Sequence, residues 1–378
     1  MIYLDNSATT IQKPPCVTEA VVQAIGQMGN VGRGAHEAAL DAGRTIYAAR
    51  RELAALFHCP RADHVIFTSG ATESLNIAMN GLLCPGEHAI ATDWEHNSVL
   101  RPLYRLQAQG VGVDFLPADK SGKLHYDLLE TLVKPNTRAL ICTHASNLTG
   151  DISDTERLRA FCEKHGLLFI LDCSQTAGCL PVDMEKLGAD VICFTGHKGM
   201  MGLQGTGGLC IREGVKIRPW KVGGTGVQTY SEDQPEKYPT RLEAGTQNGH
   251  GIAALLAAAR FLRETGIENI HARELSLAKH FAAELRKIGG VTLYGDFSAP
   301  DRAAIVTMNF GNLSSASAAD LLSEKYNIAV RPGAHCAPRL HRALGTEQQG
   351  AVRFSFGYYN TEEETEFALN AVKELAKL

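Results

Sequence analysis

LLFILDCS (Leu167–Ser174) and DVICFTGHK (Asp190–Lys198) are both short apolar runs that end in polar residues. Runs of this length, rich in branched and aromatic side chains, read as strands buried on both faces. Each delivers a charged residue where its apolar part stops, Asp172 in one case and Lys198 in the other. Burying either charge costs about several kcal/mol unless a partner compensates it. Taken alone, Lys198 reads as a solvated lysine on the glycine-rich loop GMMGLQGTGG that follows it, and Asp172 as the N-cap of the next segment.

Working outward, HVIFTSG (64–70), HAIATDW (88–94), VGVDFLP (111–117), TRALICTH (137–144) and GGLCIR (207–212) repeat the pattern. Amphipathic segments such as SDTERLRAFCEKHG (153–166) lie between several of them. Strands alternating with helices predict an α/β fold, here a mostly parallel seven-stranded sheet covered on both faces. Ligands of such sheets sit at the carboxyl ends of the strands. After Gly249 the pattern changes. Helices are expected over 249–264 and 267–288, then strands in VTLYGD, AAIVTMNFGN, IAVRPG and AVRFSFGYY, with helices over 315–325 and from Thr361. The expected division is a large domain over 15–260 and a smaller α+β domain made of 1–14 and 261–378. Residues 222–246, VGGTGVQTYSEDQPEKYPTRLEAGT, read as a functional loop or hairpin.

Bulk properties narrow the function. The 378 residues carry a formal net charge of −4, which points to neither nucleic acid nor anionic membrane. The most apolar helical stretch, GIAALLAAARFL (251–262), is too short to span a bilayer and contains Arg260. MIYLDNSATT shows no secretory pattern, so the expected location is the cytoplasm. The ten cysteines form no Cys-x-x-Cys pair and no metal site is expected. Cys142, Cys193 and Cys210 fall in strand-like runs and read as small buried apolar residues. Cys336, in RPGAHCAPRLH (331–341), does not.

In FTSGATESLN (67–76), a strand ends and a helix starts near Thr72, read here as its cap. Free N–H groups at such a start suit a phosphate, and the same motif serves equally as an ordinary strand–turn–helix. A phosphate site, a strand-end aspartate and a strand-end lysine on one sheet edge are what pyridoxal 5'-phosphate needs. The lysine forms a Schiff base with its aldehyde, and the aspartate keeps its ring nitrogen protonated.

With YLDNSATT (3–10), NVGRGAHE (30–37), EHNS (95–98), SNLTG (146–150), DCSQ (172–175), TGHK (195–198), EAGT (243–246) and RPGAHCA (331–337) in this order, the chain resembles the class V aminotransferases. These are fold type I pyridoxal phosphate transferases, and within them it is similar to cysteine desulfurases and selenocysteine lyases of the group II type. The resemblance implies that Lys198 holds the cofactor and His96 stacks on its ring. Asp172 would pair with the ring nitrogen and Gln175 with the phenolic oxygen. Ala71, Thr72, Thr195 and His197 would hold the phosphate, with Thr246 reaching the phosphate of the other subunit of a homodimer. Asn147 would contact cofactor and substrate, and Arg353, Arg331 and His36 the substrate. Arg353 would clamp its carboxylate with a bidentate fork.

Cys336 would take sulfur from L-cysteine as a persulfide, leaving L-alanine, for a sulfur-acceptor protein in pathways such as iron–sulfur cluster assembly. Arg331, His335, Arg339 and His341 are expected to give it positive surroundings, which favour a thiolate. The alternatives are a selenocysteine lyase acting on L-selenocysteine, a β-eliminating C–S lyase, and a catalytically silent scaffold on the same fold. The sequence Cys336-Ala337-Pro338-Arg339-Leu340 and the segment HRALGTEQQGA (341–351) depart from the group II pattern.

Overall fold

After a short strand β1 (Ile2–Tyr3) and helices α1 (Pro15–Gln27) and α2 (Glu37–Leu56), the chain enters its main sheet. The strands are β2 (Val65–Thr68), β3 (His88–Thr92), β4 (Gly112–Leu116), β5 (Thr137–Thr143), β6 (Leu168–Asp172), β7 (Val191–Thr195) and β8 (Gly207–Ile211). This is a computed structural model, and it describes residues 1–30 and 34–377. In space the strands lie in the order β2-β8-β7-β6-β5-β3-β4, with β8 alone running against the others. Each of the seven expected strands is present, in an α/β sheet that is mostly parallel.

Successive side chains of one strand enter opposite core layers, because strand residues alternate faces. Leu140 and Cys142 pack on one side, Ala139 and Ile141 on the other. Helices α3 (Ala71–Leu82), α4 (Asn97–Ala108), α5 (Leu129–Leu132), α6 (Thr155–His165) and α7 (Met184–Leu187) connect the strands. Both faces being apolar explains why the runs read as continuous rather than alternating.

The next helix, α8 (Gly249–Thr265), runs unbroken past residue 260, and its Ile252, Leu255 and Leu262 join the core of the large sheet. Gly266, at φ 84°, separates it from α9 (Ile267–Leu285). The remaining elements are β9 (Val291–Tyr294), β10 (Ile305–Phe310), α10 (Ser315–Tyr326), β11 (Ile328–Ala329), β12 (Arg331–Gly333), α11 (Pro338–Leu344), β13 (Ala351–Ser355) and α12 (Glu362–Leu375). They build an antiparallel sheet in the order β12-β13-β10-β9, with a core that includes Phe281, Val306, Phe354 and Leu369. The amino terminus belongs here too: β1 pairs with β11, and Leu4 enters this core. Residues 222–246 contain neither helix nor strand, so the hairpin is not formed.

Candidate active site

Six strands of the large sheet point their carboxyl ends the same way, and polar residues of FTSGATESLN, EHNS, SNLTG, DCSQ and TGHK follow those ends. They surround a cavity of about 420 Å³. Ala71 and Thr72 reach it from the start of α3, His96 from the start of α4, and Asn147 from the turn after β5. Asp172 and Gln175 follow β6, while Thr195, His197 and Lys198 end and follow β7.

Burial pushes the Lys198 amine down to about 8, with the charge of Arg353 as the next cause and Asp172 opposing it. The backbone of this lysine is held by YLDNSATT. Thr10 Oγ1 donates to the carbonyls of His197 and Lys198, both at 3.1 Å, and Thr9 Oγ1 to that of His197 at 3.1 Å. His197 Nδ1 is buried with no protein partner. At the end of β6, Asp172 lies in register with Thr143 and Cys193. Its Oδ1 accepts both the N–H and the hydroxyl of Ser174. Among the described residues no hydrogen bond falls on Oδ2, which leaves that oxygen for a ligand.

His96 is the N-cap of α4: its Nδ1 accepts the N–H of Ser98 at 3.0 Å. The Ser98 hydroxyl lies 2.9 Å from the same nitrogen and 2.8 Å from Thr72 Oγ1, so the starts of α3 and α4 are tied together. Burial, then Lys198, push the imidazole down to about 4. His96 is therefore neutral at pH 7, and since Nδ1 accepts, its proton sits on Nε2. Thr72 is not the cap expected of it. Helix α3 starts at Ala71 with Gly70 as N-cap, and Gly70 has no side chain to occupy the first N–H groups.

The model of the class-V aminotransferase family matches residues 2–367. The chain belongs to this family. It is 32% identical over 382 residues to a probable cysteine desulfurase of Methanothermobacter thermautotrophicus, covering 99% of this chain and 94% of that protein. Among solved structures it is similar to the apo cysteine desulfurase of Thermococcus onnurineus NA1, with TM-score 0.93, 32% identity, and coverage of 100% and 94%. It also resembles the cysteine desulfurase CsdA of Escherichia coli in its S-sulfonic acid form, with TM-score 0.88, 32% identity, and coverage of 99% and 94%.

Within this member of the family, Cys336 is the exposed one of ten free cysteines, while Cys142, Cys193 and Cys210 are buried. It sits next to the cavity without lining it. Its carbonyl accepts the N–H of Asn97 at 2.8 Å, and the carbonyl of His335 accepts Asn147 Nδ2 at 2.6 Å. His335 and Cys336 both have positive φ, 49° and 55°, a conformation that costs a non-glycine residue roughly 1–2 kcal/mol. The loop after Cys336 is clasped as well. Arg339 Nε donates to Asp93 Oδ1 at 2.7 Å, its guanidinium lies 3.8 Å from the centroid of the Phe115 ring, and Ala337 and Leu340 enter the large core.

The positive surroundings expected for this thiol are not there as free charges. His335 turns inward and donates Nε2–H to the Arg331 carbonyl; burial and Arg353 push it down to about 3. His341 is buried, stacked on His335, and lowered by that burial. Both rings are neutral at pH 7. Arg339 is paired with Asp93 and Arg331 with Asp5.

Arg353, on β13, is 2% exposed. Its Nη1 donates to the Asn147 carbonyl at 2.8 Å and its Nη2 to Asp5 Oδ1 at 3.2 Å. Thr246 lies in a second depression, which shares Ser69, Glu73 and Gly205 with the first. His36 is exposed at the N-cap of α2 and does not line the cavity. Val31, Gly32 and Arg33 of NVGRGAHE lie outside the described residues.

Two acids inside quoted motifs were missed. Asp5 of YLDNSATT bridges Arg331 and Arg353. Glu95 of EHNS is fully buried; its Oε1 accepts the Thr92 hydroxyl at 2.6 Å and the Thr143 N–H at 3.0 Å, and Oε2 has no partner. Burial pushes Glu95 up to about 8, so it is a neutral acid at pH 7. The available signal was an acidic residue beside an apolar run inside each motif.

A buried ion pair sets the path of EAGT. Arg50 meets both carboxylate oxygens of Glu243, and Glu243 Oε1 also accepts the Phe67 N–H at 2.7 Å. Breaking such a pair from one side costs about 3–5 kcal/mol. Arg50→Met is therefore expected to lower unfolding stability by about that much, read by urea titration. Wild-type stability in the variant would show that the pair contributes nothing.

Proposed function

We propose that the protein is a pyridoxal phosphate-dependent cysteine desulfurase that converts L-cysteine to L-alanine and collects the sulfur on Cys336. The observation that carries this reading is the placement of an exposed cysteine, fixed by its backbone to the start of α4, beside a cavity that holds Lys198, Asp172 and His96. The donor set fits the cofactor: an amine lowered to about 8, an aspartate with one uncommitted oxygen, an uncapped helix start, and an orphaned buried nitrogen on His197. Lys198 would hold it covalently and Asp172 would keep its ring nitrogen protonated. His96 would cover its ring, and Gln175 would bond its phenolic oxygen. The N–H groups of Ala71 and Thr72, with Thr195 and His197, would hold its phosphate. When bound, pyridoxal phosphate supplies an electron sink for the bonds broken at the substrate.

The chain's own groups do the rest. Arg353 clamps the substrate carboxylate, supported by Asn147 and Arg331. Lys198 Nζ takes the proton from the substrate Cα. The Cys336 thiolate attacks the substrate sulfur: an S–S bond forms, the C–S bond breaks, and the carbon keeps the electron pair and is protonated to the methyl of alanine. Sulfur is oxidised and carbon reduced, so no external redox partner is needed. The persulfide then passes to an acceptor protein.

A homodimer accompanies this reading. Ile11, Val22, Ile25, Leu40, Tyr47 and Tyr230 are large apolar side chains exposed on the single chain. Thr246 does not line the cavity of its own chain, which suits a residue serving the phosphate of the partner subunit. Incubating the holoprotein with L-cysteine and L-selenocysteine separately tests the function. Alanine from cysteine, together with a persulfide on the protein, is expected. Alanine from selenocysteine alone replaces the reading with a selenocysteine lyase, and pyruvate in place of alanine with a β-eliminating lyase.

A further inference from the structure

Asp5 stands between the two arginines assigned to the substrate carboxylate. Arg331 Nε lies 3.3 and 3.1 Å from Asp5 Oδ1 and Oδ2, and Arg331 Nη2 lies 3.1 Å from Oδ2. Arg353 Nη2 holds Oδ1 at 3.2 Å. The two arginines are cross-strand partners on β12 and β13, and Asp5 reaches them from a bridge to Ser355. The group adjoins the cavity, since Arg353 Nη1 bonds the carbonyl of Asn147, which lines that cavity together with Lys198.

The donors of Arg353 show what an incoming carboxylate meets. Nη1 is committed to the Asn147 carbonyl, and Nε is buried without a partner. A guanidinium takes a carboxylate through two parallel N–H groups. The side edge Nε–Nη2 offers the unused Nε–H, and its other atom, Nη2, already gives one of its two N–H groups to Asp5. A substrate carboxylate must therefore displace Asp5 or share one guanidinium with it, and two carboxylates at one cation repel each other.

We propose that Asp5 is a built-in competitor for the substrate carboxylate, occupying Arg353 and Arg331 in the free enzyme and loosening the hold on substrate and product alike. This rests on the reading of Arg353 as the carboxylate clamp. Two arginines and one aspartate sum to a single positive charge, which matches one carboxylate. The pairing keeps the buried Arg353 from standing uncompensated when no amino acid is bound. It acts equally on substrate and product, so it sets KM and product release.

Asp5→Asn keeps the shape and an acceptor oxygen while removing the charge. In the holoenzyme, KM for L-cysteine and Ki for L-alanine are both expected to fall, on the order of ten-fold. Alanine affinity is also read without turnover, from the visible spectrum of the bound cofactor. If Asp5 only props Arg353 in place, both constants rise. A rise, or no change, in a variant that loads cofactor normally overturns the proposal. Arg353→Lys separates the two levels. Alanine affinity lost there but unchanged in Asp5→Asn overturns the competitor alone; affinity unchanged in both overturns the clamp, and the competitor with it. Should Asp5→Asn not fold, the structure of the wild-type holoenzyme with L-alanine decides. Asp5 withdrawn from Arg353 Nη2, or sharing that guanidinium with the alanine carboxylate, supports the proposal; an alanine carboxylate that does not touch the guanidinium held by Asp5 overturns it.

Discussion

Lys198→Ala is expected to end turnover of L-cysteine and to abolish the covalent capture of pyridoxal phosphate, with the fold intact. Loss of a positioned proton acceptor alone costs about 10²–10⁴-fold in rate, and loss of the covalent anchor adds to this. The fold survives because the backbone of residue 198 is fixed independently of its side chain: Thr10 and the Met201 N–H both bond its carbonyl. Truncation opens more of a cavity that already exists and removes an amine that is held below its ordinary value. Borohydride reduction followed by peptide mass mapping reads the result, and cofactor fixed to the variant would identify another lysine. The wild-type apoprotein gives a second check. A neutral amine is the nucleophile, so capture of added cofactor should quicken as pH rises towards about 8 and then level off. A rate still climbing towards pH 10.5, the ordinary lysine value, contradicts the lowered amine. His96, pushed down to about 4, adds no titration step between pH 5 and 8.

The main sheet was legible because its strands are apolar on both faces and end at polar residues. Val191–Thr195 is buried at every position, and the sequence shows this as an unbroken run. The reversal of β8 was less visible. The chain returns from Thr195 to Gly207 without a crossover helix, and a parallel neighbour would have needed one. Residues whose position follows from their own strand were read from sequence: Asp172, Lys198 and Thr195 fall at strand ends, and the fold brings those ends together. Residues whose state depends on a distant partner were not. Asp5 meets Arg353 across most of the chain, Arg50 meets Glu243, and Arg339 meets Asp93; nothing in either local sequence announces the other. The same limit explains the error around Cys336. Four basic residues near it in sequence suggested a positive field, but two are neutral buried histidines and two are paired arginines, all through contacts the local sequence does not display.

Cys336→Ala is expected to separate sulfur capture from cofactor chemistry. The variant should bind pyridoxal phosphate as the wild type does and still change its visible spectrum on adding L-cysteine, because Lys198, Asp172 and Arg353 are untouched. It should lose the protein persulfide altogether and release alanine only at background rate. Alanine is the informative replacement. Residue 336 has φ 55°, so a glycine would relax the strained loop and move the backbone together with the thiol. An alanine keeps the Cβ and the strain, and since Cys336 is exposed, removal of its sulfur opens no core cavity. The loop has reason to stay in place, with Asn97 on the Cys336 carbonyl, Asn147 on the His335 carbonyl and Arg339 clasped to Asp93. Because the neighbouring histidines are neutral and the arginines paired, the proposed attack by Cys336 would rest on presentation: a strained, anchored turn fixes where the sulfur stands. Trapping the protein with an alkylating agent after one equivalent of L-cysteine, then mapping the extra sulfur by mass, reads the outcome. Extra sulfur on another of the cysteines at undiminished yield, or wild-type alanine production without any persulfide, removes Cys336 from the reaction.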